Sequence, residues 1–281
     1  MVSNTAIHIQ YIRVITLTFM KLKALVNIAP LNIYETMHMR RIKILLLPGL
    51  FLLFSTLNIK AQDTINTNLA LDGKQQGIIT ISALTSKGDL ESLQKALNSG
   101  LDAGLTVNQI KEVLVHLYAY AGFPRSIRGL QTFITVLDER KAKGINDLTG
   151  ADASPINNQQ SKYERGKAIL EELTGVAEAG PKTGYAAFAP VIEVFLKEHL
   201  FADIFERDVL TYAERELVTI SVLSSIGGVE PMLRSHLNIC LNVGLTPNQL
   251  QQFTGIIKSA VGKKEAKAAQ KVLDDVLRSK K

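Results

Sequence analysis

Three features of the sequence predict an all-α protein made of two packed helical repeats. Residues 96–106 recur as residues 236–246, with identical Leu, Asn, Leu and Gly-Leu-Thr positions 140 apart. Apolar residues in both copies follow the spacing of a buried helix face. Each copy also contains a helix-stop signal followed at once by a helix-start signal, which is typical of antiparallel helix pairs.

The repeat extends upstream with a shift of one residue. Residues 80–84 (Thr-Ile-Ser-Ala-Leu) match residues 219–223 (Thr-Ile-Ser-Val-Leu) at an offset of 139. The shift falls in loops that carry Gly88 in the first copy and Gly227-Gly228 in the second, where a change of length costs little. These segments are β-branched enough for strands, but their flanks favour buried helices.

The helix ends can be placed from turn and capping residues. Residues 90–103 form a predicted helix that Gly104 terminates. Thr106 and Thr246 are predicted N-caps, each followed three residues later by a glutamine in the capping-box position, and Pro247 suits the first helical turn. Helix, short loop, helix, turn and helix is therefore the predicted order in each copy.

The two copies are predicted to differ at their ends. The second copy (161–281) opens with helices at 162–173 and around 186–205, before the part that repeats. The first copy (70–143, a partial repeat) lacks these opening helices. The last helix of the first copy, 110–120, is expected to stop at Ala-Gly-Phe-Pro, residues 121–124. The second copy instead continues through a lysine-rich helix. Residues 144–160, rich in Asn, Asp, Gly, Ser and Pro, are the predicted linker.

Composition narrows the function. The 281 residues include one cysteine, which excludes an internal disulfide, a paired-thiol redox motif and a zinc site of several thiolates. The net charge of +6 suggests a nucleic-acid binder, but residues 1–61 hold seven basic residues and one acid. Since the rest is close to neutral, no nucleic-acid partner is expected.

The basic N-terminal segment is interpreted as a leader. Arg40, Arg41 and Lys43 precede about fourteen mostly apolar residues, 44–57, which are interrupted by Pro-Gly and too short to span a bilayer. Residues 39–61 are the predicted signal peptide, cleaved after Ala61, and an uncleaved amphipathic anchor is the alternative. The protein is therefore expected to be periplasmic or secreted, without membrane attachment after cleavage. Residues 1–38 are interpreted as a mis-annotated extension, with the true start at Met37 or Met39.

Several short motifs, in order, resemble the carboxymuconolactone decarboxylase family, a relative of the alkylhydroperoxidase-D-like proteins. Residues 163–166 (Tyr-Glu-Arg-Gly) look like its opening helix, and residues 199–210 resemble its stretch His-x-x-Gly-Asp-x-Trp-x-Arg-Pro-Gly-Leu. Segments 215–220, 233–237 and 242–246 follow in family order, while 110–116 and 120–124 resemble its closing segment. The resemblance implies packed helical repeats, assembly into rings of subunits and decarboxylation of a lactone acid.

The sequence also departs from the family pattern. The peroxidase branch carries Cys-x-x-Cys-x-x-His, but Leu233 and Glu230 stand where the thiols would precede His236. An antioxidant function is therefore a disfavoured alternative. In the stretch 199–210, four family residues are replaced, at Ala202, Phe205, Asp208 and Val209.

The resemblance identifies the candidate site residues. His236 is the expected proton donor, oriented by His199 or Glu216, because imidazole titrates near neutrality. Arg215 or Arg234 is expected to hold the departing carboxylate, and Tyr120 to contribute to substrate binding. The alternative is a structural role, His236 satisfied by hydrogen bonds and His199 capping or pinning a helix.

Polar residues of the two copies are complementary. Glu112 and His116 lie four residues apart, on one helix face, whereas their repeat partners are Gln252 and Ile256. His236 in turn pairs with Ala96. One hypothesis is a composite site that joins Glu112 and His116 to His236, and the other is decay of two redundant sites. Cys240, one turn after His236, is expected to be a small buried residue.

Two classes of function follow. The first is a cofactor-free, metal-free decarboxylase or related lyase that acts on a small lactone or cyclic carboxylic acid by His/Glu proton transfer. The second is a non-catalytic protein of the same fold that binds a ligand or assembles. A homo-oligomer is expected in either case, and a trimer of internal pseudo-dimers is the hypothesis.

The leader gives a first testable prediction. The native protein should begin near Gln62, because signal peptidase removes the segment ending at Ala61. N-terminal sequencing and intact-mass analysis of the protein from its natural host measure this directly. A recovered peptide from residues 1–36 would contradict the proposed start site.

Overall fold

Helices account for the regular structure in the computed structural model, which describes residues 69–156 and 159–280. Within these ranges there is no β-strand, and the prediction of an all-α fold is confirmed. The predicted extension and signal peptide lie outside the described residues. No helix in the described ranges is long and apolar enough to cross a bilayer.

The repeat is visible in the helix order. The helices of the first copy are α1 Gly73–Lys87, α2 Leu90–Asp102, α3 Val107–His116 and α4 Tyr118–Ala142. Their counterparts in the second copy are α9 Tyr212–Ile226, α10 Glu230–Asn242, α11 Pro247–Ala260 and α12 Lys263–Ser279. Between them lie α5 Lys162–Thr174, α6 Gly184–Phe188, α7 Pro190–Phe195 and the π-helix α8 Leu196–Phe205.

Equivalent capping boxes start equivalent helices. The predicted N-caps Thr106 and Thr246 accept hydrogen bonds from the backbone N–H groups of Gln109 and Gln249, whose side chains accept in return from the threonine N–H groups. Asp72 and Thr211 cap α1 and α9 in the same manner. Repeated start signals therefore account for the repeated helix boundaries.

The predicted helix stop at 121–124 is found as a break, but the expectation that the first copy ends there, unlike the second, is wrong. The first copy does break at Gly122, whose dihedral angles of φ 80° and ψ 163° are not helical, but its chain resumes as the rest of α4. Gly262 makes the equivalent break before α12. Pro124 ends nothing, because a proline early in a helix gives up only a backbone N–H that has no helical acceptor.

The helix expected around 186–205 is divided. Ala189, with φ −134° and ψ 76°, separates α6 from α7, and α8 continues with the wider π-helical turn. The helix expected at 162–173 is confirmed as α5. Residues 145–156 of the predicted linker carry no helix, and a buried ion pair between Arg140 and Asp147 holds their start against α4.

The two copies share one core, centred on α1 and α9. These helices pack directly against each other, and apolar side chains from both copies form one continuous cluster. Buried hydroxyls on both helices, such as those of Ser82 and Ser221, donate to the carbonyl oxygen four residues earlier. A serine or threonine hydroxyl that is hydrogen-bonded in this way can be buried on a helix. Buried helices can therefore contain the Ser and Thr residues that made these segments resemble strands.

A second, smaller apolar cluster lies between α5 and α8. One of its aromatic side chains, Phe205, contacts His116 at the edge of the first core. The smaller cluster includes Ile169, Leu173, Phe201 and Phe205. The helices approach so closely that a Cβ atom at Gly166 would lie 1.8 Å from the carbonyl oxygen of Lys197. Glycine at this position is thus a condition for the packing that places Phe205 beside His116.

Gly166→Ala is expected to destabilise the protein. The added methyl group meets backbone, which cannot move aside as a side chain can, and overpacking of this kind costs about 1–3 kcal/mol. Gly255→Ala is the matched control, because a Cβ there meets nothing within 4 Å and alanine favours the helix by about 1 kcal/mol. Urea unfolding measures both, and equal midpoints would contradict the close approach.

Candidate active site

A buried polar cluster lies where the two copies meet. His116 comes from α3 and Tyr120 from α4 in the first copy, while Glu216 and His236 come from α9 and α10 in the second. The Tyr120 ring lies between the two imidazoles, with centroids 5.7 Å from His116 and 5.9 Å from His236. Both copies therefore contribute to one group of titratable side chains.

Glu216 and His236 form a direct pair. The Glu216 carboxylate is fully buried and accepts a hydrogen bond of 2.8 Å from Nδ1 of His236. The side chain of His236 is 15% exposed, so it is the part of this pair that reaches solvent. Within the described residues, its Nε2 atom makes no hydrogen bond. The carboxylate thus fixes the ring orientation and leaves one nitrogen for a proton acceptor or donor role.

His116 is held neutral by its partners. Because the Thr219 hydroxyl donates to the Arg215 carbonyl oxygen, it accepts from Nε2–H of His116 at 3.0 Å. Nδ1 of His116 then accepts from the Arg215 guanidinium at 3.1 Å. Burial, and next the positive charge of Arg215, hold the pKa of His116 well below its ordinary value. Both nitrogens are occupied, so His116 orients its neighbours and has no free nitrogen with which to transfer a proton.

A buried ionic cluster lies behind His116. Arg215 is fully buried and donates to Glu112 at 2.8 Å and to the backbone carbonyl of Arg207. Arg207, at the protein surface, makes a two-pronged contact with the same carboxylate at 2.9 and 3.0 Å. Burial lowers the pKa of the Arg215 guanidinium, and the adjacent Glu112 opposes that effect. Two arginines therefore share one carboxylate.

Unpaired polar atoms concentrate at this site. Four buried side-chain atoms in the described residues lack a hydrogen-bond partner: Tyr120 Oη, Arg215 Nε, Glu216 Oε1 and Ser224 Oγ. Three belong to the cluster, and buried polar groups without partners are rare in folded proteins. Burial, and next the Glu216 carboxylate, raise the pKa of Tyr120, while Thr219 and Arg215 oppose that rise. The phenol is protonated and presents a hydrogen-bond donor.

Two of the predicted site residues lie elsewhere. The His199 side chain is 49% exposed and its Nδ1 pairs with Asp203 at 3.1 Å, so it does not orient His236. Arg234 pairs with Asp275 at 2.9 Å on the exposed side of α10. Arg215 is in the cluster, but its terminal nitrogens are occupied by protein groups. A substrate carboxylate could therefore bind Arg215 through its Nε–H, and would not form the expected two-pronged contact with the guanidinium.

Sequence reasoning missed Arg207 and Thr219 as members of the cluster. A signal existed for Arg207, since it occupies the arginine position of the family stretch at 199–210. Cys240 is fully buried as expected, and burial together with the Glu216 carboxylate raises the pKa of its thiol well above the ordinary value. In the described part of the chain, no group of three His, Cys, Asp or Glu side chains is arranged for a metal ion.

Comparison with known proteins agrees with this architecture. The carboxymuconolactone decarboxylase family matches residues 55–133 and again residues 193–275. The chain belongs to this family, and the two matches fall on the two copies of the repeat. It is 25% identical to the 4-carboxymuconolactone decarboxylase of Acinetobacter baylyi over 122 residues, which cover 43% of the chain and 90% of that relative. It is 23% identical to an uncharacterized protein of Methanocaldococcus jannaschii over 79 residues, 28% of the chain and 74% of that relative.

The neutral state of His116 predicts a pH dependence of stability. Because its folded-state pKa lies below its unfolded value near 6.5, only the unfolded chain takes up this proton as the pH falls below about 6.5. The free energy of unfolding should decrease there, by at most about 1.4 kcal/mol per pH unit. Urea unfolding between pH 7.5 and 5 tests this. His116→Gln, which cannot titrate, should flatten the dependence, and an unchanged slope would contradict it.

Proposed function

We propose that the protein is a cofactor-free decarboxylase or related lyase for a small lactone or cyclic carboxylic acid, with Glu216 and His236 as its proton-transferring pair. The concentration of unpaired buried polar atoms on Tyr120, Arg215 and Glu216 carries the proposal, because such atoms suit a ligand with oxygen atoms. Similarity to the 4-carboxymuconolactone decarboxylase of Acinetobacter baylyi supports the reaction class.

The pair is suited to a proton transfer in either direction. With Nδ1–H donating to Glu216, a neutral His236 ring has its lone pair on Nε2, and a protonated ring has a transferable proton there. The buried carboxylate stabilises the imidazolium that forms when Nε2 gains a proton. When a carboxylate leaves as CO2, the electron pair remains on the substrate, and Nε2–H can protonate the resulting carbanion or enolate.

Tyr120 and Arg215 supply hydrogen-bond donors beside this pair. The protonated phenol and the Nε–H group both lack a protein acceptor, so each can contact a substrate oxygen as negative charge develops. His116, Arg215 and Glu112 form the supporting chain that fixes the Tyr120 ring. The proposed composite site thus joins Tyr120 of the first copy to Glu216 and His236 of the second, with His116 and Glu112 as positioning residues.

Substitutions separate catalytic from structural histidines. His236→Ala and Glu216→Gln should each lower kcat about 10²–10⁴-fold, because each removes part of the proton relay. His199→Ala is the control and should retain activity, since His199 pairs with Asp203 and contacts the half-buried ring of Tyr118, away from the Glu216–His236 pair. CO2 release from a panel of lactone and cyclic carboxylic acids is the assay.

The same assay tests the composite site. His116→Ala should also reduce activity, although His116 transfers no proton in the proposed reaction, because the change loosens Tyr120. Full activity in either the His116 or the His236 variant would make the composite site wrong. Binding of an acid from the panel by the wild-type protein without turnover would favour the non-catalytic role.

Export and assembly complete the proposal. The basic and apolar segment at 40–57 supports export to the periplasm or the medium. Homo-oligomerisation is supported by a group of exposed apolar side chains on α6 and α7, namely Tyr185, Phe188, Val191, Ile192 and Phe195. Clustered exposed apolar residues mark interaction surfaces in soluble proteins. A trimer of internal pseudo-dimers would cover this surface.

Light scattering coupled to size-exclusion chromatography measures the assembly. The wild-type mass should be three times that of the chain, and Phe188→Asp should dissociate the trimer, since Phe188 is 91% exposed. Leu148→Asp is the matched control, because this leucine is 72% exposed outside that surface. A clean wild-type monomer would contradict the proposal.

A further inference from the structure

A surface groove in the first copy occupies the place that the Glu216–His236 site holds in the second. The groove lies between α1, α2 and α11, the counterparts of α9, α10 and α3. The repeat offsets pair five residues of the candidate site with residues that line the groove: Gly77 with Glu216, Thr80 with Thr219, Ala96 with His236, Ile256 with His116, and Ala260 with Tyr120. One ancestral site position is thus present twice.

The residue differences between the two copies explain why the groove is open. The carboxylate, the second imidazole and the phenol are replaced by glycine and two alanines, while the helix pairs that frame the site are kept. The resulting cavity has a volume of about 500 Å³, within the range of roughly 300–1,000 Å³ that is usual for small-molecule sites. At the base of the groove α1 and α2 already pack closely, since a Cβ at Gly77 would lie 3.1 Å from Cδ1 of Leu105 and 3.4 Å from Cα of Gly100.

The lining indicates the chemistry of a ligand. Gly77, Ala96, Ile256 and Ala260 present an apolar wall, and among the described residues Lys95 is the one charged side chain that lines the cavity. Its partner Glu91 is highly exposed, and such surface pairs contribute little, so Lys95 can exchange it for another carboxylate. The hydroxyls of Ser92 and Ser99 also line the cavity. No imidazole or carboxylate lines it, so proton transfer has no carrier there.

We propose that this groove is a second, non-catalytic site that binds an aromatic or alicyclic monocarboxylate. The ring lies on the wall of Gly77, Ala96, Ile256 and Ala260, and the carboxylate lies at the rim beside Lys95. The charge of Lys95 selects an acid over an uncharged analogue, and the apolar wall selects a ring over a short polar anion. Binding here does not depend on whether the Glu216–His236 pair is catalytic.

Benzoate is the probe, and isothermal titration of the wild-type protein is the measurement. Ala260→Phe, which refills the groove with the bulk of the counterpart tyrosine, should weaken benzoate binding about tenfold or more. Ala268→Phe is the matched control, because it adds the same side chain at an exposed position on α12 and should leave affinity unchanged. Far-UV circular dichroism confirms that each variant is folded.

Lys95→Gln measures the contribution of the Lys95 charge to benzoate binding, apart from that of the apolar wall. It should weaken benzoate about two- to fivefold, the effect of one exposed ion pair, and leave the affinity for benzyl alcohol unchanged. Binding at the Glu216–His236 site is recognised by its loss in His236→Ala, which should not affect the groove. The proposal is overturned if benzoate does not bind, if binding survives Ala260→Phe, or if His236→Ala alone abolishes it. Benzoate would also fail to bind if a second copy or another segment of the chain occupied the groove, and that result would equally overturn the proposal.

Discussion

The mutual burial of α1 and α9 is the constraint on which the rest of the structure depends. The central part of α9 is surrounded by the core, so its polar side chains depend on partners inside the protein. Arg215, Glu216 and Thr219 occupy nearly one turn of this helix, and all three are fully buried. The first copy supplies the partners: Glu112 and His116 to Arg215 and Thr219, and Tyr120 to the space beside Glu216. The candidate site is therefore also the polar part of the contact between the copies.

The energetic cost of this arrangement is high. A buried arginine or glutamate is unfavourable unless the pair is well formed, and loss of one partner typically costs about 3–5 kcal/mol. Here Glu112 accepts from both Arg215 and Arg207, which leaves neither guanidinium without an acceptor. Since buried ion clusters can often be replaced by hydrophobic residues without loss of stability, this cluster suits a positioning role better than a stabilising one. Its last member, His116, contacts the Tyr120 ring.

Duplication let the two copies diverge at a shared position. Around Glu216 and His236 the site is filled, charged and nearly closed, whereas around Gly77 and Ala96 it is open and apolar. The backbone changed little, since equivalent capping boxes start equivalent helices in both copies. Different side chains on equivalent helices make one position a buried polar cluster and the other an open groove with Lys95 at its rim. One fold thus presents two kinds of environment at the same position.

The sequence by itself determined the helical class, the repeat, and the helix starts at Thr106 and Thr246, because capping and periodicity are local properties. It also identified Glu112, His116 and His236 through complementary losses between the copies. Only the tertiary structure decided their roles, since these depend on neighbours far apart in the chain. Arg207 meets Glu112 across 95 positions, the Thr219 hydroxyl and Arg215 fix the proton of His116, and Asp203 keeps His199 away from the site. Helix ends follow from nearest neighbours, whereas protonation and hydrogen-bond satisfaction follow from packing between copies.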